Sequence, residues 1–188
     1  KHIRNLISLK DGENVVTLMA LRDFPEGEYL VFATSDGTVK KSSLAAYANI
    51  RANGLIALNI DDDNRLVTVR RSTGAQQIVL ATAQGKAIRF PEEDVRATGR
   101  ATTGVRGMKL AAKDHIVDME VADPLPDLPE GVEPDESTED HGMLLTVCEK
   151  GYGKRSLLQD YRLQGRGGTG VINIRAGVRN GQVVGFKL

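Results

Sequence analysis

The chain has 188 residues, with 25 Lys and Arg against 25 Asp and Glu, so its formal net charge of zero gives by itself no reason to expect a polyanionic partner. A single cysteine, Cys148, excludes an internal disulfide framework, and no apolar run reaches the roughly 18 residues of a membrane-spanning helix. A cytoplasmic protein with no membrane role is the resulting expectation.

In chain order the predicted elements are short and β-rich. An alternating run, Val15 to Leu21, comes first. Tyr29 to Thr34 and Thr38 to Lys41 follow, joined through Asp36-Gly37. Leu55 to Ile60 and Leu66 to Val69 are split by a polar break. Ile78 to Thr82 and Ala87 to Phe90 flank Gln84-Gly85, and Val105 to Leu110 and Ile116 to Val121 come next. Leu144 to Cys148 leads into Lys150-Gly151, and Val171 to Ile174 and Val183 to Phe186 end the chain. A glycine between two β-rich runs supplies the positive φ of a tight hairpin. No apolar stripe at helical spacing extends beyond about a turn. The fold class is therefore all-β.

These elements repeat. Four residues past Gly37, Gly85 and Gly151 stand Lys41, Arg89 and Arg155; ten past them stand Tyr47, Val95 and Tyr161; further glycines close the units at Gly54, Gly104 and Gly170. Gly37 and Gly85 are 48 residues apart, a period that points to a propeller or solenoid with about four strands per unit. Gly85 and Gly151 are 66 apart, and the excess of 18 equals the stretch 123–140, which holds eight acidic residues, four of the six prolines and no Lys or Arg. We read 123–141 as a flexible acidic insertion loop. Without residues 123–140 there remain 25 basic against 17 acidic side chains, so the repeat itself is basic by +8. Residues 1–188 form one partial domain of three to four four-stranded blades.

Two series of cations recur in the units. Lys40-Lys41, Arg89 and Lys154-Arg155 follow the hairpin glycines, whereas Arg51, Arg100 and Arg166 precede the closing ones; Arg106 and Arg162 complete the set. Charged residues also protect sheet edges from pairing, but that need is met by either sign. A cation at one place in every unit instead suggests phosphates lying across the units. Gly165, Gly167 and Gly170 match G-x-G-x-x-G formally, yet the strand-like Val171-Ile-Asn-Ile174 follows where a dinucleotide site requires a helix. His2, His115 and His141 have no partners at metal spacing. No catalytic constellation stands out.

Four stretches carry a family resemblance: Ala48-Asn-Ile-Arg-Ala-Asn-Gly-Leu-Ile-Ala-Leu58, Ala81-Thr-Ala-Gln-Gly-Lys-Ala-Ile-Arg-Phe90, Gly151-Tyr-Gly-Lys-Arg155, and Tyr161-Arg-Leu-Gln-Gly-Arg-Gly-Gly-Thr-Gly-Val-Ile-Asn-Ile174. Over essentially its whole length the chain resembles the C-terminal domains of the DNA gyrase A protein. The resemblance implies a β-pinwheel, a propeller-like disc whose blades exchange a strand with their neighbours, with DNA bent around a basic rim. The family's first blade bears the box Q-R-R-G-G-K-G. The nearest match here is Gln164-Gly165-Arg166-Gly167-Gly168-Thr169-Gly170, with glycine and threonine in place of one arginine and the lysine, so the blade with the full box is expected before Lys1. The resemblance further implies duplex DNA, the gyrase B protein and the N-terminal part of the gyrase A protein as partners in an A2B2 assembly of the bacterial cytoplasm and nucleoid. ATP and Mg2+ belong to that holoenzyme, and no cofactor, metal or catalytic residue is expected in this segment. The topoisomerase IV counterpart is a weaker match, and a protein-binding propeller with no DNA role is the alternative.

Overall fold

The computed structural model describes residues 9, 11–49, 51, 54–124 and 142–188. Three antiparallel hairpins form its frame: β1 (Tyr29–Thr34) with β2 (Thr38–Ser43), β4 (Gln77–Thr82) with β5 (Lys86–Pro91), and β8 (Met143–Cys148) with β9 (Gly153–Leu157). They turn on Gly37, Gly85 and Gly151, with φ of 89°, 85° and 79°. A side chain is strained in that left-handed region, which is why glycine recurs there.

Each hairpin gains a strand on its first member: β3 (Leu66–Ser72) on β1, β7 (Ile116–Ala122) on β4, and β11 (Val183–Lys187) on β8. These three strands pack side by side. Arg70 on β3 pairs with Asp118 at 3.3 Å and Glu120 at 3.1 Å on β7, and Lys187 on β11 reaches Glu120 at 2.8 Å. The opposite edge is completed by exchange. The short β6 (Val105–Arg106) lies beyond the second hairpin in sequence but pairs with β2 of the first, and β10 (Val171–Ile172) of the third unit pairs with β5 of the second. The sheets run β3-β1-β2-β6, β10-β5-β4-β7 and β11-β8-β9. The second and third units thus hand their outer strands to the unit before them, as in a β-pinwheel.

Strand alternation then builds the core between blades. Ile78 and Leu80 face the first blade, in a cluster with Val31, Ala33, Val39, Ile88 and Phe90, while Val79 and Ala81 face the third, with Ala87, Leu144, Leu158 and Phe186. Because β4 is buried on both faces, its sequence is an unbroken apolar run rather than an alternating one. Val95 and Tyr161 lie in these clusters, and Tyr47 packs with Phe32 in a third. The residues ten past each hairpin glycine are therefore core. Cys148 is buried, which pushes its thiol pKa up.

Three features depart from the sequence expectations. Val15 to Leu21 and Leu55 to Ile60 form no strands. Each corresponds in its unit to a strand that pairs with a hairpin, and no hairpin stands beside them among the described residues; Met19, Leu21, Ala57 and Leu58 pack instead on the outer face of β1. The third sheet has three described strands rather than four. Short 3-10 turns at Leu44–Tyr47, Glu92–Asp94 and Leu158–Asp160 follow each hairpin. Of the acidic segment, Asp123 and Pro124 are exposed, and residues 125–141 lie outside the described residues.

Candidate nucleic-acid interface

The cation that recurs four residues past each hairpin glycine is buried wherever the next unit covers it. Lys41 is 6% exposed and Arg89 7%. Lys41 Nζ donates to the Glu92 carbonyl at 3.2 Å, lies 3.4 Å from Glu92 Oε1 and sits over the Tyr29 ring. Arg89 Nη1 donates to the Leu158 carbonyl at 2.8 Å. Glu92 and Leu158 each open the 3-10 turn of the following unit. The cation is therefore a latch between blades. Burial lowers the Arg89 pKa. This corrects the reading of Lys41 and Arg89 as phosphate contacts: the next unit's chain lies over them, and its carbonyl oxygens accept their hydrogen bonds. Arg155 stands at the same position on β9, where no outer strand lies among the described residues, and is exposed.

Lys40 is corrected in the same way. It is 1% exposed, and its Nζ donates to the carbonyls of Ala57 at 2.6 Å and Arg100 at 2.5 Å while lying near the Phe32 ring. Burial, with the Arg100 charge adding to it, lowers its pKa from 10.5 to about 8. The unfolded chain therefore holds this proton over a pH range in which the folded one has released it, so stability rises as pH climbs from about 8 towards 10. Urea midpoints across that range should increase for the native chain and lose this increment in Lys40→Met. Equal pH dependence in both would show that Lys40 does not titrate with folding.

The outer edge is made by two loops. From Ala97, bridged to Lys41, the chain runs out and returns through Gly104 as β6; from Leu163, bridged to Arg89, it runs out and returns through Gly170 as β10. Both closing glycines have positive φ, and a Cβ on Gly104 would stand 2.6 Å from the Val39 carbonyl oxygen. Arg100 and Arg166 ride on these loops. The loop Gln164–Gly170 bridges the first two blades. Arg166 Nε donates to the Asp94 carbonyl at 2.9 Å and its Nη1 to the Arg106 carbonyl at 3.0 Å; Gly167 N donates to Gly107 O, and Lys109 N to Gly168 O. Gln164 N donates to the Arg89 carbonyl, and Gly165 and Thr169 are exposed. Arg51 and the half-buried Arg100 line one open groove of about 700 Å³ with Gly54, Leu55, Ile56 and Ala101. Arg106 and Arg162 are exposed, as is Lys154, whose Nζ reaches the Asn173 carbonyl at 3.1 Å.

The structure adds two cations that the sequence pattern did not single out. Arg96 occupies the position of Arg162 in the preceding unit, and Lys109 follows Gly104 at the offset at which Arg175 follows Gly170; all are exposed. The repeat offset itself was the available signal. The side chains of Arg51, Arg96, Arg100, Arg106, Lys109 and Arg162 have no ion-pair partner among the described residues, whereas Glu92, Asp118 and Glu120 are committed to cations inside the fold. Among the described residues no group of His, Cys, Asp and Glu could hold a metal ion, and no helix is long and apolar enough to cross a membrane.

Comparison with known proteins agrees with this architecture. The family model described as "DNA gyrase C-terminal domain, beta-propeller" matches residues 28–73, 76–123 and 142–187, one match per blade. The DNA gyrase A protein of Salmonella typhimurium (strain LT2) is 38% identical over 183 residues, 97% of this chain and 19% of its own length. That of Lawsonia intracellularis is 39% identical over 186 residues, 99% of this chain and 21% of its own. The chain thus spans about a fifth of the length of these relatives. Among solved structures, a C-terminal domain of DNA topoisomerase IV superposes with a TM-score of 0.82 at 26% identity, covering all of this chain and 54% of that one. A DNA gyrase A C-terminal domain gives 0.79 at 26% identity, covering 97% and 56%. With three blades matched in register by the family model, the chain belongs to the DNA gyrase C-terminal, β-propeller domain family.

Proposed function

We propose that the chain binds duplex DNA without regard to base sequence and bends it over the outer loops of its blades. The observation that carries this reading is the recurrence, blade after blade, of solvent-accessible cations with no ion-pair partner among the described residues on those loops: Arg51, Arg100 and Arg166 near the closing glycines, with Arg96, Arg106, Lys109 and Arg162 beside them. Such side chains neutralise phosphates and release counterions while reading no bases. Bending a site of two to three helical turns costs about 1–10 kcal/mol, which contacts spread over several blades can offset. Lys40, Lys41, Arg89 and, by its position, Arg155 fall outside this set.

Within a gyrase-type holoenzyme, bending of this kind would present a crossing of defined hand to the strand-passing machinery and so support ATP-dependent negative supercoiling. The gyrase B protein and the N-terminal part of the gyrase A protein, as A2B2 in a bacterial cytoplasm, are the partners this reading requires; ATP and Mg2+ act there, and this segment needs no cofactor. The sequence relatives, which carry the gyrase A name, favour this over a topoisomerase IV assignment. Fluorescence anisotropy on duplexes of unrelated sequence should give similar affinities that fall linearly with log salt, and energy transfer between duplex ends should report bending. Binding to one sequence only, or affinity independent of salt, would remove the proposal in favour of a protein-binding propeller.

A further inference from the structure

The loop 97–104 of the second unit lies over the first blade and carries one charged side chain, Arg100. The first unit holds that loop by three successive carbonyls. Lys40 Nζ donates to the Arg100 carbonyl at 2.5 Å, Asn59 Nδ2 to that of Ala101 at 3.1 Å, and the Asn59 N–H to that of Thr102 at 3.1 Å. The Arg100 guanidinium itself has no hydrogen bond or ion pair among the described residues. The loop 163–170 is anchored differently, because the Arg166 side chain reaches back to the carbonyls of Asp94 and Arg106. Arg166 therefore fixes itself, whereas Arg100 is placed through its backbone.

Closing a junction does not require the Lys40 ammonium. Its place is taken by Ile88 in the second unit and by Lys154 in the third. Ile88 is buried in the core, and the junction above it repeats the one above Lys40. A Cβ on Gly104 would stand 2.6 Å from the Val39 carbonyl oxygen, and one on Gly170 2.3 Å from that of Ala87. Withdrawing an ammonium from water is costly, and this one has no carboxylate partner among the described residues, only the Ala57 and Arg100 carbonyls and the Phe32 ring. Its bond to its own unit recurs from Lys154 to the Asn173 carbonyl, in a unit whose outer strand is paired. What is particular to Lys40 is its bond to the loop that bears Arg100.

We propose that Lys40 is a positioning residue for DNA binding: by holding the Arg100 carbonyl inward it leaves the Arg100 guanidinium free to meet a phosphate. This rests on the DNA reading given above. Charge couples the two side chains as well. The titratable groups facing the ammonium among the described residues are Arg100 and Tyr47. Burial, with the Arg100 charge adding to it, brings the Lys40 pKa down to about 8, while Tyr47 shares the Ala57 carbonyl and is itself raised by burial. A phosphate on Arg100 offsets the repulsion between the two cations, so binding favours protonated Lys40. Affinity should therefore fall as pH rises through about 8.

Anisotropy titrations of the chain with duplex DNA test this coupling. Lys40→Ile, which installs the residue of the next unit, should weaken binding about threefold to tenfold, the reach of one hydrogen bond. Arg100→Ala should make the salt slope shallower by about 0.9, and in that background Lys40→Ile should cost nothing further. The affinity of the native chain should drop between about pH 7 and pH 9, and that of Lys40→Ile should not. Asn59→Ala, at an exposed position, spares the core and should weaken binding through Arg100 in the same way, which covers a failure of Lys40→Ile to fold. Each of three results would overturn the role of Lys40: the same loss from Lys40→Ile with and without Arg100, the native pH profile surviving in Lys40→Ile, or native affinity in Lys40→Ile (in Asn59→Ala where Lys40→Ile does not fold). A native chain without salt-dependent binding would instead remove the DNA reading, and this role with it.

Discussion

Replacing Glu92 with alanine should destabilise the fold by about 3–5 kcal/mol, the range for removing one partner of a buried ion pair. Glu92 is fully buried and serves two blades at once. From the first blade it receives Ser72 Oγ at 2.5 Å and the Lys41 ammonium at 3.4 Å; from its own blade it receives the Gln76 backbone N–H at 3.2 Å. Alanine leaves that ammonium buried with the Glu92 backbone carbonyl and the Tyr29 ring but no counter-charge, and strands a hydroxyl and an amide besides. Against the roughly 5–15 kcal/mol that holds a domain folded, this is a large fraction. The loss should fall chiefly on the stranded charge, so Lys41→Met combined with Glu92→Leu should recover most of it, with non-additivity exceeding about 1 kcal/mol in the double-mutant cycle. Arg89→Met should cost less than Glu92→Ala, since among the described residues the Arg89 guanidinium has no carboxylate partner and its Nε no hydrogen-bond partner. Urea unfolding midpoints of these variants measure this ordering. A loss below about 1 kcal/mol for Glu92→Ala would show that the ion pair does not hold the junction.

The same junction shows where the sequence was readable and where it was not. Gly37, Gly85 and Gly151 revealed the hairpins because a tight turn imposes a positive φ that glycine alone adopts without strain. The exchange of outer strands left no local trace. Val105 pairs with Val39, and Val171 with Ala87, partners so distant in sequence that neither stretch signals the other. The fate of the recurring cation depended on that exchange. Lys41 and Arg155 share an offset, yet one lies under the next unit and the other at an open edge, and nothing adjacent to either in sequence distinguishes them. Arg51, Arg100 and Arg166 were readable for the opposite reason. Each sits shortly before a closing glycine, and Arg100 and Arg166 lie on loops that leave the blade before returning as β6 and β10, surface segments of the kind that carry binding residues. The coincidence of two cation series in one repeat hid the difference between a latch and a surface.

Separating the series experimentally gives the largest expected change in binding. Alanine at Arg100, Arg106 and Arg162 removes three cations that have no ion-pair partner among the described residues, and truncation leaves the backbone carbonyls of Arg100 and Arg106, which accept from Lys40 and Arg166, in place. If each side chain neutralises one phosphate, the slope of log affinity against log salt should become shallower by about 0.9 per residue, so by roughly two to three for the triple variant. At about 0.1 M salt that corresponds to roughly a hundredfold to thousandfold loss of affinity, shared equally by duplexes of different sequence. Lys41→Met and Arg89→Met also remove cations, but buried ones, and should shift the unfolding midpoint while leaving the salt slope as it is. Total charge is lowered in both sets, so a general electrostatic attraction predicts similar changes in slope per residue, whereas contact at the outer loops predicts a change in one set and none in the other. A triple variant that kept the native slope would place the phosphates somewhere other than the outer loops.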